Sequence, residues 1–382
     1  MRIAFVMDDM SVHSNGTSST ALRYADALRE QGHEVICVAF GADGPDSFDV
    51  PEHHIPVVTP VAEGLDFHFA QPDEAVFDEA FADVDVIHIF LPFALGQAAR
   101  DWGRAHGVPV TAAFHLQPEN VTYNANLGAA PLVCDAIYRL FRDWLYGDIR
   151  HIHCPSQMIA NQLRKHGYRS QLHVISNGVP KAFCPGEGES FNDGLVHIVT
   201  VGRLSHEKDQ ATIIRAIDRC SYRDQIRLHI CGKGPLKHKL EHEGSCLPHP
   251  PIFEYRSIDD LIALERACPL YSIHASIADI EAMSVLEALA CGCVPIIAEA
   301  EMSAPSQFAL CRESLFEAGD DERLAEFIDW WLDHPEKIAE WSPRYAAEGM
   351  GDHVEKCAER FVAMLEEAIA DDLSAYGEEI RS

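Results

Sequence analysis

The sequence predicts an α/β protein built as two copies of one βαβ plan, each around a parallel sheet. Three observations carry this. The chain opens with a short apolar strand over Arg2–Met7, a helix from about Ser18 to Gln31 and a second strand over Glu34–Phe40. The same rhythm restarts at Leu195–Val201, after a stretch rich in Pro, Gly and acids at Pro180–Gly194. At 382 residues the chain is long enough for two cores of ordinary domain size.

In the first half, Gly32 supplies the left-handed stop of the opening helix, and joining two strands through a helix implies parallel pairing. Residues 41–80 are irregular and acidic. Val84–Phe90 and Val108–Phe114 read as buried strands around a helix over Ala94–His106. A helix over Leu132–Arg150, a strand over Arg150–Cys154, a helix begun by Pro155-Ser156 and a strand over Leu172–Ser176 complete the half. His151 and His153 lie on one face of their strand, but two ligands fall short of a metal site, and none is predicted from them. The second half repeats the plan. Strands are expected over Leu195–Val201, Ile226–Cys231, Ile252–Tyr255 and Leu270–His274, with helices over Asp209–Arg219, Pro235–Glu243 and Asp259–Ala267. Three amphipathic helices follow Asp320.

Composition excludes several classes. Nearly half the residues are hydrophobic, so the chain is globular, and no run of about 18 apolar residues suggests a membrane span. A formal charge of −30 argues against binding nucleic acid through its phosphates. The twelve cysteines are scattered without a CxxC pair, and MRIAFVMDD has no signal-peptide layout, so a cytoplasmic location is expected.

Three stretches carry chemistry, each just past a predicted strand, where parallel sheets place it. Val201-Gly202-Arg203-Leu204-Ser205-His206-Glu207-Lys208 sets Arg and Lys five residues apart in a loop, a spacing that lets both reach one diphosphate. The bland alternative is an exposed ion pair with Glu207. Cys231-Gly232-Lys233-Gly234-Pro235 either lets the backbone approach a ligand or is a tight turn. Ala275–Pro295 runs from Ser276, Asp279 and Glu281 into a helix with Met283, Leu286 and Ala290 on one face, stopped by Cys291-Gly292. A helix start of that kind seats a diphosphate, although acids there also simply favour the dipole. Asn15-Gly16-Thr17 and His115 lie at the ends of first-half strands and are weaker signals.

Taken in order, VGRLSHEK, CGKGP and the Asp279–Glu287 run resemble glycosyltransferase family 4, and the two-part rhythm extends the resemblance to nearly the whole chain. The resemblance implies a GT-B architecture: two Rossmann-like domains facing across a cleft, with the last helix crossing back to the first. Domains are expected at 1–180 and 195–352, with a linker at 181–194 and the returning helix at 353–382. Arg203 and Lys208 match the family's diphosphate-binding pair, and Glu287 the carboxylate that binds the ribose hydroxyls. Amides around Ala282, Met283 and Ser284 would cradle the diphosphate, with Gly202, Gly232, Gly234 and Gly16 as further donor-facing positions. Phe114-His115 resembles the family's His beside the transferred sugar. Asp279 has the family spacing of eight to Glu287 but is a methylene shorter than the usual Glu, and Glu281 follows two residues later. Either can meet the sugar; Asp279, with the family spacing, is the expected contact, with Glu281 second.

The activity implied is retaining transfer of a hexose from a nucleoside-diphosphate sugar, with a UDP-linked donor expected, to a hydroxyl acceptor. No cofactor or metal is implied; Arg203, Lys208 and helix-start amides would stabilise the leaving group. A non-catalytic nucleotide-sugar-binding subunit and a sugar-nucleotide epimerase are the alternatives. Asp135–Arg150 is amphipathic if helical, with Ile137, Phe141, Trp144 and Leu145 on one side and Arg139, Arg142, Tyr146 and Arg150 on the other. Together with HLQPEN, which resembles bacterial members, this suggests peripheral contact at the inner face of the cell membrane and a lipid acceptor such as diacylglycerol, just ahead of an envelope glycan.

Overall fold

Every strand pair in the two main sheets is parallel, as the βαβ rhythm requires. The computed structural model describes residues 1–11, 16–56, 59, 67–124, 128, 130–268 and 270–379. The chain divides into two units. The first is Met1–Pro118, Pro131–Gly178 and Val354–Ser382; the second is Glu119–Ala130 and Val179–His353.

The first unit runs β1 (Arg2–Asp9), α1 (Gly16–Glu30), β2 (Glu34–Phe40), β3 (Ser47–Asp49), α2 (Glu74–Ala80), β4 (Val86–Ile89), α3 (Ala94–His106) and β5 (Val110–Ala113). After α4 (Pro118–Asn124), at the boundary of the units, come α5 (Pro131–Trp144), β6 (His151–Cys154), α6 (Gln157–Lys165) and β7 (Gln171–Val174). The sheet order is β3-β2-β1-β4-β5-β6-β7, so the winding reverses between β1 and β4. Ile3 to Met7 are buried without alternation, because helices cover both faces of such a sheet. Gly32 ends α1 at φ +86°, as expected for a left-handed stop.

The second unit holds β8 (Val196–Val201), α7 (Gln210–Arg219), β9 (Ile226–Cys231), α8 (Lys237–Gly244), β10 (Ile252–Glu254), α9 (Ile258–Ala267) and β11 (Leu270–His274). It continues with β12 (Ala278–Asp279), α10 (Met283–Ala290), β13 (Val294–Glu299), β14 (Met302–Ser303), β15 (Leu315–Glu317), α11 (Asp321–Asp333) and α12 (Pro335–Gly351). Its sheet order is β10-β9-β8-β11-β13-β15, reversing between β8 and β11. The last helix, α13 (Val354–Glu379), belongs to the first unit, where Cys357, Ala358, Phe361, Met364 and Leu365 pack with Phe5, Tyr24 and Val86.

Four sequence readings change. Residues 41–80, read as irregular, hold β3 and α2. The stretch 181–194 is no free linker: Phe183 sits in the core of the second unit, and Arg266 Nε donates to the Cys184 carbonyl at 2.8 Å. The second unit therefore begins at Val179, not at 195. The helix read over Leu132–Arg150 ends at Trp144 and gives way to a 3₁₀ turn over Tyr146–Asp148. That shift of phase turns Tyr146 inwards, fully buried with its hydroxyl on the Ala113 carbonyl at 2.8 Å. Arg142 spends its guanidinium on Asp143 and the His166 carbonyl, and Arg150 on Asp371, so no continuous basic stripe forms. The exposed apolar groups on α5 are instead Leu132, Val133, Leu140 and Trp144.

Candidate functional site

In the second unit the chain leaves β8 and β11 on either side of the point where strand order reverses, and a ligand crevice is expected there. The loop after β8 carries Gly202, Arg203 and Lys208; the loop after β11 carries Ser276, Asp279 and Glu281 before α10 begins.

These two loops are tied together. The Glu207 carbonyl accepts from Ile277 N at 2.8 Å and from Ser276 Oγ at 3.0 Å. The Glu207 side chain turns inwards, taking the Ser205 hydroxyl at 2.5 Å, so it is not the partner of the cations. Lys208 Nζ instead pairs with Asp279 Oδ2, an oxygen that also lies 3.2 Å from His274 Nε2. The other oxygen, Oδ1, accepts from Ala282 N at 3.0 Å and Glu281 N at 3.4 Å. Burial alone would raise the Asp279 pKa, but the Lys208 charge and the His274 hydrogen bond outweigh it and hold the carboxyl well below the usual range. Asp279 is therefore a buried anchor with both oxygens engaged, and it sets the entry to α10.

That entry is strained. Ala282 caps α10 at φ +61°, a left-handed conformation disfavoured for a residue with a Cβ. Such a turn aims the first amides of α10, from Met283 and Ser284, off the end of the helix, where they and the helix dipole favour an anion. Within α10, Glu287 is buried.

Arg203 is half-buried, and among the described residues its guanidinium makes no ion pair or hydrogen bond; only its carbonyl is used, by Gln210 Nε2 at 2.8 Å and Ser205 Oγ at 3.5 Å. A third cation, which the sequence reading did not single out, is Lys233, exposed and 4.1 Å from the centre of the Tyr255 ring. The loops bearing Arg203 and Lys233 pack backbone to backbone, with Leu204 N donating to the Lys233 carbonyl at 2.9 Å. This is what the two glycines of CGKGP permit. A Cβ on Gly232 would lie 1.9 Å from the Gly202 oxygen, and one on Gly234 2.4 Å from the Leu204 oxygen. Gly202 is different, since a Cβ there would meet only Lys208 Cδ at 3.9 Å. His274 was also missed, although it ends a predicted strand five residues before Asp279.

In the first unit, His115 follows β5 and is buried, stacked on Phe90 at 5.7 Å and edge-on to His153 at 5.5 Å. Burial, and next the neighbouring His153, push its pKa well below the ordinary value, so the ring is neutral. Its Nε2 has no hydrogen-bond partner among the described residues. Gly16 begins α1 with open space around it, while Asn15 lies outside the described residues. A cavity of about 310 Å³ opens beside Arg100, Arg104, Asp148 and Arg150, before β5, at the amino edge of the first unit's sheet, opposite the edge that carries His115.

Known proteins resemble this chain over most of its length. Residues 14–183 match the family described as Glycosyltransferase Family 4, and residues 187–347 match Glycosyl transferases group 1. A GDP-mannose-dependent alpha-mannosyltransferase of Mycolicibacterium smegmatis is 26% identical over 340 residues, covering 82% of this chain and 84% of that protein. One of the same description from Corynebacterium glutamicum is 27% identical over 257 residues, covering 62% of this chain and 58% of its own length. Among solved structures, Anabaena HepE in complex with UDP and glucose superposes with a TM-score of 0.73 at 17% identity, covering 96% of this chain and 99% of that one. Sucrose-phosphate synthase from Thermosynechococcus elongatus gives 0.74 at 15%, covering 97% and 99%.

Proposed function

Because the chain belongs to glycosyltransferase family 4 and is a glycosyltransferase of GT-B fold, we propose that it moves a hexose with retention from a nucleoside-diphosphate sugar to a hydroxyl acceptor. The observation that carries this reading is the convergence of Arg203, the Lys208–Asp279 pair and the start of α10 where the strand order reverses. In the step proposed, the bond from the sugar's anomeric carbon to the diphosphate breaks and one to the acceptor oxygen forms on the same face. The acceptor's proton goes to the departing phosphate oxygen. Charge grows on the diphosphate, and Arg203, Lys208 and the α10 amides stabilise it, an electrostatic contribution that asks nothing of a metal. Glu287 is assigned to the ribose hydroxyls. Since both oxygens of Asp279 are engaged, Asp279 is assigned to positioning and Glu281 to the sugar. A neutral His115 suits contact with an uncharged hydroxyl.

The two relatives named for GDP-mannose favour that donor over the UDP-linked one read from the sequence, because the UDP-bound structures share only the fold at under 25% identity. For the acceptor, Leu132, Leu140 and Trp144, at 82%, 60% and 42% exposure, put an apolar row on α5 that supports peripheral contact with a membrane. No helix among the described residues is long and apolar enough to cross one. A lipid acceptor at the cytoplasmic face follows from this reading.

The test incubates the protein with GDP-mannose or UDP-glucose, with and without diacylglycerol-based acceptors in mixed micelles. Nucleoside diphosphate release and the product's anomeric configuration are followed. Acceptor-dependent release from GDP-mannose with an α-linked product is expected. Tight donor binding without turnover on any acceptor would identify a binding subunit instead, and an altered sugar nucleotide would identify an epimerase.

A further inference from the structure

The sequence offers His151 and His153 as a pair too small to hold a metal. The fold separates them and gives His151 new neighbours. His153 points its Nε2 at the Ile175 carbonyl, 2.7 Å away, and is sealed among aromatic rings. His151 faces His173 on the adjoining strand, with Nδ1 and Nε2 of the two rings 3.0 Å apart. On α13 Glu367 and Asp371 are one turn apart and share a helix face. Ligand atoms of His151, His173 and Glu367 all lie within 4.8 Å of one another. Asp371 Oδ2 sits 3.2 Å from the far nitrogen, Nε2, of His151.

We propose that His151, His173 and Glu367 form a binding site for a divalent transition metal of the zinc type, with Asp371 orienting His151, and that the metal clamps α13 to the β6–β7 edge of the first unit.

The donor set fits that class. Two imidazoles and one carboxylate suit zinc and its neighbours; magnesium and calcium demand more oxygens. Bonds of about 2.0–2.1 Å place tetrahedral ligand atoms roughly 3.3 Å apart. The two histidine nitrogens must then open by a few tenths of an ångström, and Glu367, an exposed side chain, must swing inwards. Glu367 is already steered towards the strands by Gln171 Nε2, which donates to its Oε1 at 2.6 Å. Asp371 completes the arrangement in which a carboxylate takes the outer N–H of a metal-bound histidine, fixing its tautomer. Arg150 Nε, 3.0 Å from Asp371 Oδ2, works against the metal, but its side chain is largely exposed and screened. The fourth position would hold water. All these residues lie in the first unit, whereas Arg203, Lys208 and the start of α10 lie in the second.

The test uses the full chain, stripped with a chelator and dialysed. Cobalt(II) is titrated by visible absorption, zinc by calorimetry, and thermal unfolding is followed with and without zinc. One saturable site with four-coordinate cobalt absorption is expected, with a Tm that rises with zinc concentration as mass action requires. Glu367→Gln and His173→Gln, judged folded by circular dichroism without metal, should each weaken binding at least tenfold. Asp371→Asn should weaken it about 10–100-fold. His238→Gln, at an exposed histidine elsewhere, should leave it unchanged. No saturable binding to the parent protein overturns the proposal, and so does binding that survives in the double variant H173Q/E367Q.

Discussion

The two units use one βαβ plan but solve the same electrostatic problem in opposite ways. Each buries ionisable groups near the carboxyl ends of its central strands. In the first unit they include His88 and His153, packed on Phe361 of α13, and His115, packed on His153. No counter-charge accompanies them, desolvation dominates, and all three are neutral. In the second unit Asp279 is just as buried, yet Lys208 and His274 reverse the outcome and keep it ionised. A buried group keeps its charge only where a partner is supplied at hydrogen-bond distance. The unit proposed to bind a diphosphate supplies one, and this ion pair fixes both the cation and the turn into α10.

The largest expected effect comes from breaking that pair. Lys208→Ala leaves Asp279 charged and buried without its main partner, and should cost about 3–5 kcal/mol of stability in denaturant unfolding as well as donor turnover. Arg203→Ala, which abandons no partner, should leave stability within about 0.5 kcal/mol while slowing turnover by about 10²–10³. The double variant K208A/D279A should recover much of the stability and none of the turnover. If K208A unfolds like the parent protein, the buried pair is not the anchor described here.

Next is the backbone contact beneath the cations. Gly232→Ala drives a Cβ into the Gly202 oxygen, so the loops of Arg203 and Lys233 must part. A loss of about 2–3 kcal/mol is expected from backbone strain, with weaker donor binding measured by calorimetry. Gly202→Ala meets no such obstacle in space, and only its backbone conformation opposes it.

The neutral histidines predict a pH dependence of the first unit. His153 has its pKa lowered to about 4 by burial, which exceeds the help from its bond to the Ile175 carbonyl. The unfolded chain takes up that proton near pH 6.5, so stability is fully present above that value and is lost as pH falls towards and through the folded value. His153→Gln keeps a donor for Ile175 and should flatten the acid limb by about 1.4 kcal/mol per pH unit between roughly pH 6 and 4.5. Asp8 has the opposite sign: burial raises it to about 8, and its contribution is lost as pH rises through that value. The comparison therefore rests on the variant's difference from the parent protein rather than on the raw profile.

How much of this was legible in the sequence follows from distance along the chain. Most strands and helices and the three loops after β8, β9 and β11 are local patterns and were readable; the short β3, α2 and α4 were not. So were Arg203 and Lys208, five residues apart, and Asp279 and Glu287, eight apart. The partnership of Lys208 with Asp279 was not, because it spans 71 residues and depends on β8 and β11 being neighbours. The same holds for His173 and Glu367 beside His151. The inward turn of Tyr146 was missed for a local reason: a helical face was continued past Trp144, where a 3₁₀ turn resets the phase. Gly232 and Gly234 were legible as a turn, but not as the floor on which a second loop lies.

The smallest expected effect sharpens the contrast from within the second unit. Glu265 on α9 is completely buried, and among the described residues no cation is set against it as Lys208 is against Asp279. Burial, followed by the charge of nearby Glu287, pushes its pKa well above the ordinary value, and contact with the Cys291 thiol offsets this only in part. Glu265 should therefore be protonated at pH 7. A protonated carboxyl and a carboxamide have nearly the same shape, so at pH 5, close to the unfolded glutamate's own pKa, Glu265→Gln should change stability by less than about 1 kcal/mol and leave donor affinity intact. Glu265→Ala, which opens a cavity instead, should cost about 2–4 kcal/mol. As pH rises from 5 to 7 the unfolded chain sheds this proton and the folded one holds it, so the parent protein should lose about 1.4 kcal/mol per pH unit relative to the glutamine variant; were Glu265 ionised like Asp279, the two would run parallel over that range with the variant several kcal/mol less stable, and denaturant unfolding of both at pH 5 and 7 separates the cases.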